Sequence, residues 1–560
     1  MLIIYLPIDT NFLPHHTVAS ERASGFKKGI DASECRRRRT ETSIKLRKDK
    51  KEEGLAKRRA MAMPGAMAVS CTPPIADPSQ PAPTAPNTKK KYTSDDIPSL
   101  MAALSKPGVD DATLLESVQG FRKMLSVEVQ PPVSQVLQCG ALPMFVQMLN
   151  LFDKPKVQFE AAWALTNIAS TDRTQSVVDA GALPLFVMLL NSPSPEVREQ
   201  SAWCLGNIAG DSTTLRDSVL AAGAMDPLLK NIAEPSSPSM YTNCVWSLSN
   251  LCRGKPQPEL GSVMGAIPVL ASVLKGDNAD AKVDALWALS YLSDGDDERI
   301  TAIMSSGVTE FLVQLIATEG TNMMTPALRI LGNFVSGNDM HTQAVIDAGF
   351  FTHADMLLNH PKKNVRKETC WVLSNIAAGT PDQISQLLKN REELNSLINL
   401  AEHSEWDVRK EAVWTISNIA TGGTDQHVHA LVELEGIDAL CSVLTVSDPK
   451  IIEVALDAIE HILKIGQKSG KAYDTFVDEC DGLEGKLCRV IRVLYFCLSL
   501  VLSFSRFSHV ICRLAFVSTS QRSRTSSSTR TKQYTRSPSA SLNNTSGATM
   551  RWRTKILLPP

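Results

Sequence analysis

Five tryptophans in this 560-residue sequence are each followed four residues later by an asparagine. The pairs are Trp163 and Asn167, Trp203 and Asn207, Trp246 and Asn250, Trp371 and Asn375, and Trp414 and Asn418. Residues four apart share one face of an α-helix. An indole face attracts a cation by roughly 0.5–2 kcal/mol, and a carboxamide both donates and accepts hydrogen bonds. The spacing therefore predicts a surface that binds an extended peptide carrying Lys or Arg.

The alternative is that these tryptophans are ordinary core residues, as an isolated helical tryptophan usually is. Core packing requires an apolar residue, but it gives no reason for an asparagine one turn later. Five pairs at one phase of the sequence therefore favour binding. A desolvated lysine ammonium also needs an anionic partner. Asp211, one turn after Asn207, is the strongest candidate for that partner.

The tryptophan positions recur every 40 to 43 residues between 163 and 414, with Trp287 and Arg329 at the intervening steps. The units open alike, as in Ala-Gly-Ala-Leu-Pro at 180–184 and Met-Gly-Ala-Ile-Pro at 264–268. A helical period near 42 residues is typical of armadillo or HEAT repeats, and the openings favour armadillo. The predicted fold is all-α, a right-handed armadillo-repeat superhelix (solenoid) with a flexible basic N-terminal arm.

Segments 161–169, 203–211, 245–253 and 371–379 resemble the importin-α (karyopherin-α) family, and the resemblance extends over 22–484. It implies a nuclear import adaptor that binds mono- and bipartite basic localisation signals in a concave groove. The implied major site comprises Trp163, Asn167, Thr174, Gln200, Trp203, Asn207, Asp211, Trp246 and Asn250. The implied minor site comprises Arg329, Asn333, Trp371, Asn375, Glu411, Trp414 and Asn418. The loop 168–174 is about two residues shorter than the family pattern, which leaves its contacts open.

A basic segment at 36–59 contains twelve Lys/Arg and four Asp/Glu. A solvated or nucleic-acid-binding segment is one interpretation of such a run. The resemblance instead implies an importin-β-binding arm over 21–60, whose end at 57–59 can also occupy the protein's own groove. The arm residues concerned are Arg36, Arg37, Arg38, Arg39, Lys57, Arg58 and Arg59.

The body of the chain has the opposite charge to its arm. Residues 61–484 carry 30 Lys/Arg and 51 Asp/Glu, a balance of −21 that the whole-chain charge of −1 conceals. This balance favours cationic partners and disfavours direct nucleic-acid binding. The Ala-, Pro- and Ser-rich stretch 61–98 is predicted to be a disordered linker. About nine repeats and a partial tenth are predicted over 99–484.

Both ends of the sequence are atypical. Residues 1–20 lack the features of a signal peptide and are expected to be a spurious or disordered extension. Residues 485–560 contain no Asp or Glu, and the apolar run 493–504 is too short to cross a bilayer. A translated intron or frameshift is the preferred explanation, and a membrane-associating or phospho-regulated tail is the alternative. Such a tail would compromise recycling by an exportin with Ran-GTP.

The sequence contains no motif of a known enzyme class, and its cysteines show no metal or disulfide spacing. We therefore expect no enzyme activity, cofactor, metal or membrane partner. The resemblance to the importin-α family implies residence in both cytoplasm and nucleus (shuttling). An armadillo scaffold without an import role is the second interpretation, and a regulatory subunit of a phosphatase or ligase is the third. Cargo preference and oligomeric state remain open.

Overall fold

The computed structural model describes residues 92–127, 130–318 and 320–479. These residues form helices and no β-strand. After a 3-10 turn at Ser94–Asp96, the helices are α1 (Ile97–Leu104), α2 (Asp111–Leu125), α3 (Val133–Gln138), α4 (Ala141–Met148), α5 (Pro155–Ala169), α6 (Thr174–Asp179), α7 (Ala182–Leu189), α8 (Pro195–Asp211), α9 (Thr213–Ala221), α10 (Met225–Ala233), α11 (Pro238–Leu251), α12 (Leu260–Val263), α13 (Ala266–Lys275), α14 (Ala279–Leu292), α15 (Asp297–Met304), α16 (Thr309–Thr318), α17 (Thr321–Phe334), α18 (Asp339–Asp347), α19 (Phe351–Leu358), α20 (Lys363–Ala377), α21 (Pro381–Leu387), α22 (Arg391–His403), α23 (Trp406–Gly422), α24 (Asp425–Glu433), α25 (Gly436–Ser442), α26 (Pro449–Ser469) and α27 (Tyr473–Glu479).

These helices recur in threes along the chain. From α3 to α26 the described residues form eight complete triads, preceded by the pair α1–α2 and followed by α27. The third helix of each triad packs against the third helices of the triads before and after it. The third helices are α2, α5, α8, α11, α14, α17, α20, α23 and α26. They form one continuous layer, so the predicted all-α solenoid is confirmed.

Local sequence explains how each triad turns. Several third helices begin with proline, as at Pro155 and Pro195, because the fixed φ of proline suits the first helical position. Between the first and second helices of most triads one residue takes a left-handed conformation, as at Gly181 with a φ of 82°, whereas Gly265 is right-handed with a φ of −61°. Glycine adopts this conformation without a steric penalty. The recurring Ala-Gly-Ala opening is therefore the signature of this turn.

The core between the helices is apolar, and it contains the cysteines of the repeat helices. Cys204, Cys244, Cys252 and Cys370 are free and buried. Burial raises the pKa of the Cys204, Cys244 and Cys252 thiols to about 12, because an apolar environment disfavours the thiolate. These thiols are therefore protonated at neutral pH and pack as small apolar side chains.

The described residues begin inside the segment predicted as linker. Tyr92 is buried and its hydroxyl donates to Oε1 of Glu116 at 3.2 Å, and α1 starts at Ile97. The C-terminal end of the 61–98 stretch is thus part of the first helical pair. The predicted extension 1–20, the arm 21–60, the linker up to residue 91 and the tail 485–560 lie outside the described residues.

No single helix in the described part of the chain is long and apolar enough to cross a membrane. The bent pair α15 and α16 meets the length and composition of a span only when its two helices are taken together.

Candidate functional site

The layer of third helices carries the predicted tryptophan row. Four half-buried tryptophans lie on the third helices of four successive triads. They are Trp163 on α5, Trp203 on α8, Trp246 on α11 and Trp287 on α14. Trp371 on α20 and Trp414 on α23 form a second group, in which Trp371 is only 5% exposed and Trp414 is half-buried. Because consecutive third helices are in contact, the indoles of each group lie on one continuous surface. The structure therefore brings the sequence-predicted tryptophans together in two rows.

Two of the indoles rest on a glycine of the preceding third helix. A Cβ on Gly206 would clash with Cζ3 of Trp246, and a Cβ on Gly332 would clash with Cζ3 of Trp371. Both glycines come one residue before the Asn position of their own helix, at Asn207 and Asn333. The missing side chain lets each ring lie close to the neighbouring backbone. These glycines thus set the depth of the rows.

We expect Gly206→Ala to displace the Trp246 ring, because the added methyl group needs the space that the ring occupies. Overpacking of this kind costs about 1–3 kcal/mol of stability. Affinity for a basic peptide should fall about tenfold as the cation–π contact is lost. Fluorescence anisotropy measures the affinity and circular dichroism the stability. Gly261→Ala is the matched control, since no atom lies closer than 4.0 Å to a Cβ there. Unchanged peptide binding by Gly206→Ala would contradict the assignment of Trp246.

The asparagines link consecutive third helices through hydrogen bonds. Nδ2 of Asn207 donates to the carbonyl oxygen of Thr166 at 3.2 Å, and Nδ2 of Asn250 donates to that of Gly206 at 3.0 Å. In the second row, Nδ2 of Asn418 donates to the carbonyl oxygen of Ser374 at 2.8 Å. Every acceptor directly precedes the Asn position of the previous repeat. We expected packing within the fold to give no reason for an asparagine at this position. This expectation was wrong, because each of these carboxamides joins two repeats.

The same asparagines still have capacity for a ligand. A carboxamide has two N–H groups and an oxygen with two lone pairs, and the link between repeats uses one N–H. Asn207 is half-buried, and within the described residues its oxygen accepts no hydrogen bond. Asn167 differs in its acceptor, since it donates to Oγ of Ser126 at 2.9 Å. Its side chain is also half-buried.

Asn333 is committed to the protein interior. Its Nδ2 lies 3.1 Å from the carbonyl oxygen of Ser290 and 2.9 Å from Oγ of Ser293, and the residue is 1% exposed. Asn375, one repeat later, is also buried, and its Nδ2 lies 3.5 Å from the carbonyl oxygen of Gly332. Asn250 and Asn418 are buried as well, so the accessible carboxamides are those of Asn167 and Asn207 in the first row.

Asp211 is exposed and is the last residue of α8. A carboxylate at a helix C-terminus is disfavoured by the helix dipole, whereas a cation is attracted there. This end of α8 therefore combines a side-chain charge and backbone carbonyls that both favour a bound ammonium. Oγ1 of Thr174 donates to Oδ1 of Asp211 at 3.3 Å.

Thr174 and Gln200 support the first row from below. Thr174 is buried, and its hydroxyl lies 3.0 Å from the carbonyl oxygen of Ala169. Gln200 is also buried, and its Nε2 donates to Oγ1 of Thr166 at 2.7 Å. We expected both side chains to contact a ligand directly. Their hydrogen bonds allow them to orient Asp211 and the Thr166 segment, and direct contact with a ligand stays a prediction.

The two rows are separated by a buried ion pair. Arg329 on α17 donates from Nη2 to Oε1 of Glu368 on α20 at 2.6 Å, and its guanidinium carbon lies 5.8 Å from the ring centroid of Trp287. Burial alone would lower the pKa of Arg329, but the Glu368 carboxylate raises it above its ordinary value. Tyr291 stacks on Trp287 with centroids 6.1 Å apart. Arg329, predicted as a minor-site residue, is therefore part of the connection between the rows.

Sequence reasoning missed a second buried pair at the start of the first row. Arg122 on α2 pairs with Glu160 on α5, and both are buried. Glu160 precedes Trp163 by three residues, as Glu411 precedes Trp414. The sequence analysis identified an acid at this position only at Glu411, which is half-buried on α23. The recurrence of a glutamate three residues before a tryptophan is the signal that could have identified Glu160.

Comparison with known proteins gives consistent results along the chain. Residues 22–114 match the family described as "Importin beta binding domain". Residues 130–170, 170–210, 255–294, 338–378 and 424–464 match the "Armadillo/beta-catenin-like repeat". The chain is 41% identical over 474 residues to "Importin subunit alpha-1a" of Oryza sativa subsp. japonica, covering 83% of this chain and 87% of that protein.

A second plant protein and a solved structure agree. The chain is 40% identical over 482 residues to "Importin subunit alpha-3" of Arabidopsis thaliana, covering 83% of this chain and 87% of that protein. A crystal structure of an engineered protein superposes with a TM-score of 0.61 at 26% identity. It covers 71% of this chain and 99% of its own.

Proposed function

This chain belongs to the importin-α family and is a nuclear import adaptor that links cargo to importin-β, and we propose that its two tryptophan rows hold the basic localisation signals of that cargo. The match of its N-terminal region to the importin-β-binding domain distinguishes it from a general armadillo scaffold. The proposal rests mainly on the alignment of half-buried indoles along consecutive third helices. Beside them lie asparagine carboxamides that use one N–H in the link between repeats.

The first row, with Trp163, Trp203 and Trp246, would be the major site. Lysine and arginine stems would lie against the indoles, and the asparagine carboxamides would bond to the peptide backbone. Third helices lie about 8–10 Å apart and an extended peptide advances about 3.3–3.6 Å per residue, so one repeat spans two to three peptide residues. Asp211 would receive one lysine ammonium. The spaces between the indoles would select cationic side chains, and the asparagines would bind the peptide backbone whatever its sequence.

The second row, with Trp371 and Trp414, would be the minor site for the other half of a bipartite signal. Glu411 would supply its carboxylate, and Asn418 is held in place by Ser374. Trp371 is buried, whereas the tryptophans of the first row are half-buried, so this row exposes less indole surface than the first. We infer that it binds a short basic cluster, more weakly than the major site.

We also infer that the chain acts by binding and not by catalysis, since its family is one of transport adaptors. Nucleocytoplasmic transport is its process, and residence in both cytoplasm and nucleus is our proposal for its location. The absence of a cofactor, a metal and a nucleic-acid or membrane partner, and the weakened exportin recycling, all stay predictions.

The basic arm would regulate the groove. Lys57, Arg58 and Arg59 lie outside the described residues, and the proposal for them rests on their sequence and on the family. A tethered basic segment reaches an effective concentration on the order of mM at its site. Changing all three residues to Ala in the full chain should therefore raise the affinity for a basic peptide about tenfold or more. Importin-β should raise the affinity of the unmodified chain in the same way.

Fluorescence anisotropy with a labelled Lys-Lys-Lys-Arg-Lys peptide tests the groove and the arm together. Tight binding by the arm variant and weaker binding by the unmodified chain are the expected results. A matched control changes the nearby Lys50 and Lys51 to Ala, which removes charge outside 57–59. Equal affinities for all three proteins would remove the regulatory role, and no binding by any of them would remove the groove assignment.

A further inference from the structure

A cationic side chain of the protein itself lies on the first tryptophan of the groove. The guanidinium carbon of Arg122 is 4.4 Å from the ring centroid of Trp163. Its Nε donates to Oε2 of Glu160 at 2.7 Å and its Nη2 to Oε1 at 3.3 Å. Arg122 is 7% and Glu160 is 6% exposed. The three residues form a closed cluster between α2 and α5.

A buried arginine–glutamate pair stands before the first tryptophan of each row. Trp163 is preceded three residues earlier by Glu160, which pairs with Arg122 on the previous third helix. Trp371, the first of the second row, is likewise preceded by Glu368, which pairs with Arg329 on the previous third helix.

At the next two tryptophans of the first row, Trp203 and Trp246, the residue at this position carries an amide and not a carboxylate. Gln200 and Asn243, which precede Trp203 and Trp246 by three residues, bond to Thr166 and Glu199. The buried pairs therefore mark where each row starts.

We propose that Arg122 is a specificity-determining residue that fills the first cation slot of the groove and so limits the length of basic run that the major site accepts. A peptide lysine would need an indole face and a carboxylate at this point. Arg122 already occupies both, on Trp163 and Glu160. The inference rests on the proposed function of the first row as a peptide site.

Replacing Arg122 with Gln would open this slot. The variant leaves the Trp163 face uncovered by a guanidinium, with the Glu160 carboxylate beside it. A slot with an indole face and a carboxylate would accept one more cationic side chain from the peptide. Because one repeat spans two to three peptide residues, this side chain would stand two to three residues beyond the basic run that the wild type accepts.

The test compares matched pairs of extended peptides on the same full-length protein. In the C-terminal pair, Lys-Lys-Lys-Arg-Lys is followed by Ala-Ala-Lys or by Ala-Ala-Ala. In the N-terminal pair, it is preceded by Lys-Ala-Ala or by Ala-Ala-Ala. The ratio of the two affinities cancels competition by the basic arm, since the arm is common to both measurements. At one of the two ends, Arg122→Gln should raise the preference for the lysine-extended peptide about tenfold over the wild-type ratio.

Two further variants separate this role from a structural one. Arg122→Lys keeps a cation in the slot and should retain the wild-type ratio. Arg122→Gln combined with Glu160→Gln removes both charges and should raise the ratio about threefold, through the uncovered Trp163 face alone. This double variant also decides the matter if the single variant does not fold, because it leaves no buried carboxylate without its guanidinium.

The outcomes distinguish the inference from the proposed function. Wild-type ratios in every folded Gln variant would overturn the role of Arg122, as would a wild-type protein that already prefers the lysine-extended peptide tenfold over the alanine-extended one. Failure of the wild type and the arm variant to bind either peptide would instead overturn the assignment of the row as a peptide site. Circular dichroism on each variant confirms that the comparison is made on folded protein.

Discussion

Asp211→Lys should weaken binding of a basic peptide about hundredfold, which corresponds to roughly 3 kcal/mol for a desolvated charge pair. Asp211 ends α8, where the carboxylate and the helix dipole attract the same cation. The substitution removes the attraction and places an ammonium against the incoming lysine. Anisotropy on the protein that carries Ala at 57–59 measures the loss without competition from the arm.

A matched control for this charge reversal is Asp226→Lys. Asp226 is also exposed, but it lies on α10, the second helix of the next repeat, away from the layer of third helices. Both variants change the net charge equally, so long-range attraction falls by a similar amount in each. We expect a loss of less than about threefold for Asp226→Lys, since long-range attraction between exposed charges is largely screened at physiological salt. Equal losses in the two variants would mean that Asp211 acts only through the overall field.

The sequence predicted the elements of this fold because its signals are local and repeated. The spacing of Trp203 and Asn207 places both on one helical face, and the same spacing in other units gives the stack its period. The turn at Gly181 is likewise determined by a few neighbouring residues. Helices and turns of this kind depend on residues that are close together in the sequence. They can therefore be predicted without knowing which repeats are in contact.

The sequence did not predict the side-chain contacts between repeats. The acceptor of Asn207 is a backbone carbonyl 41 residues earlier, and Glu160 lies 38 residues after Arg122. No local pattern states which side chains meet at these separations, and a backbone acceptor leaves no residue type to recognise. The same reason hides the partners of Thr174 and Gln200. These are Asp211, 37 residues after Thr174, and Thr166, 34 residues before Gln200.

Arg329→Gln should lower the stability of the repeat domain by about 3–5 kcal/mol, because it leaves the Glu368 carboxylate buried without its guanidinium. The pair joins α17 to α20, and the stability of a solenoid depends on such interfaces between neighbouring repeats. We expect hydrogen exchange to accelerate in both helices and thermal unfolding to begin at a lower temperature. Arg391→Gln is the matched control, since its bond to Glu433 is exposed and worth about 1 kcal/mol or less.

A double variant tests whether the buried charges or the packing between α17 and α20 stabilises the stack. Arg329→Met combined with Glu368→Leu removes both charges and keeps most of the apolar volume, so it should recover most of the lost stability. The connection between the rows would then be intact without an ion pair, and a bipartite peptide should keep its advantage over a single basic cluster. With Arg329→Gln alone, the loosened interface should lower that advantage, because the two rows no longer hold one spacing. If the single and double variants unfold alike, the pair serves the stack through packing and not through its buried charges.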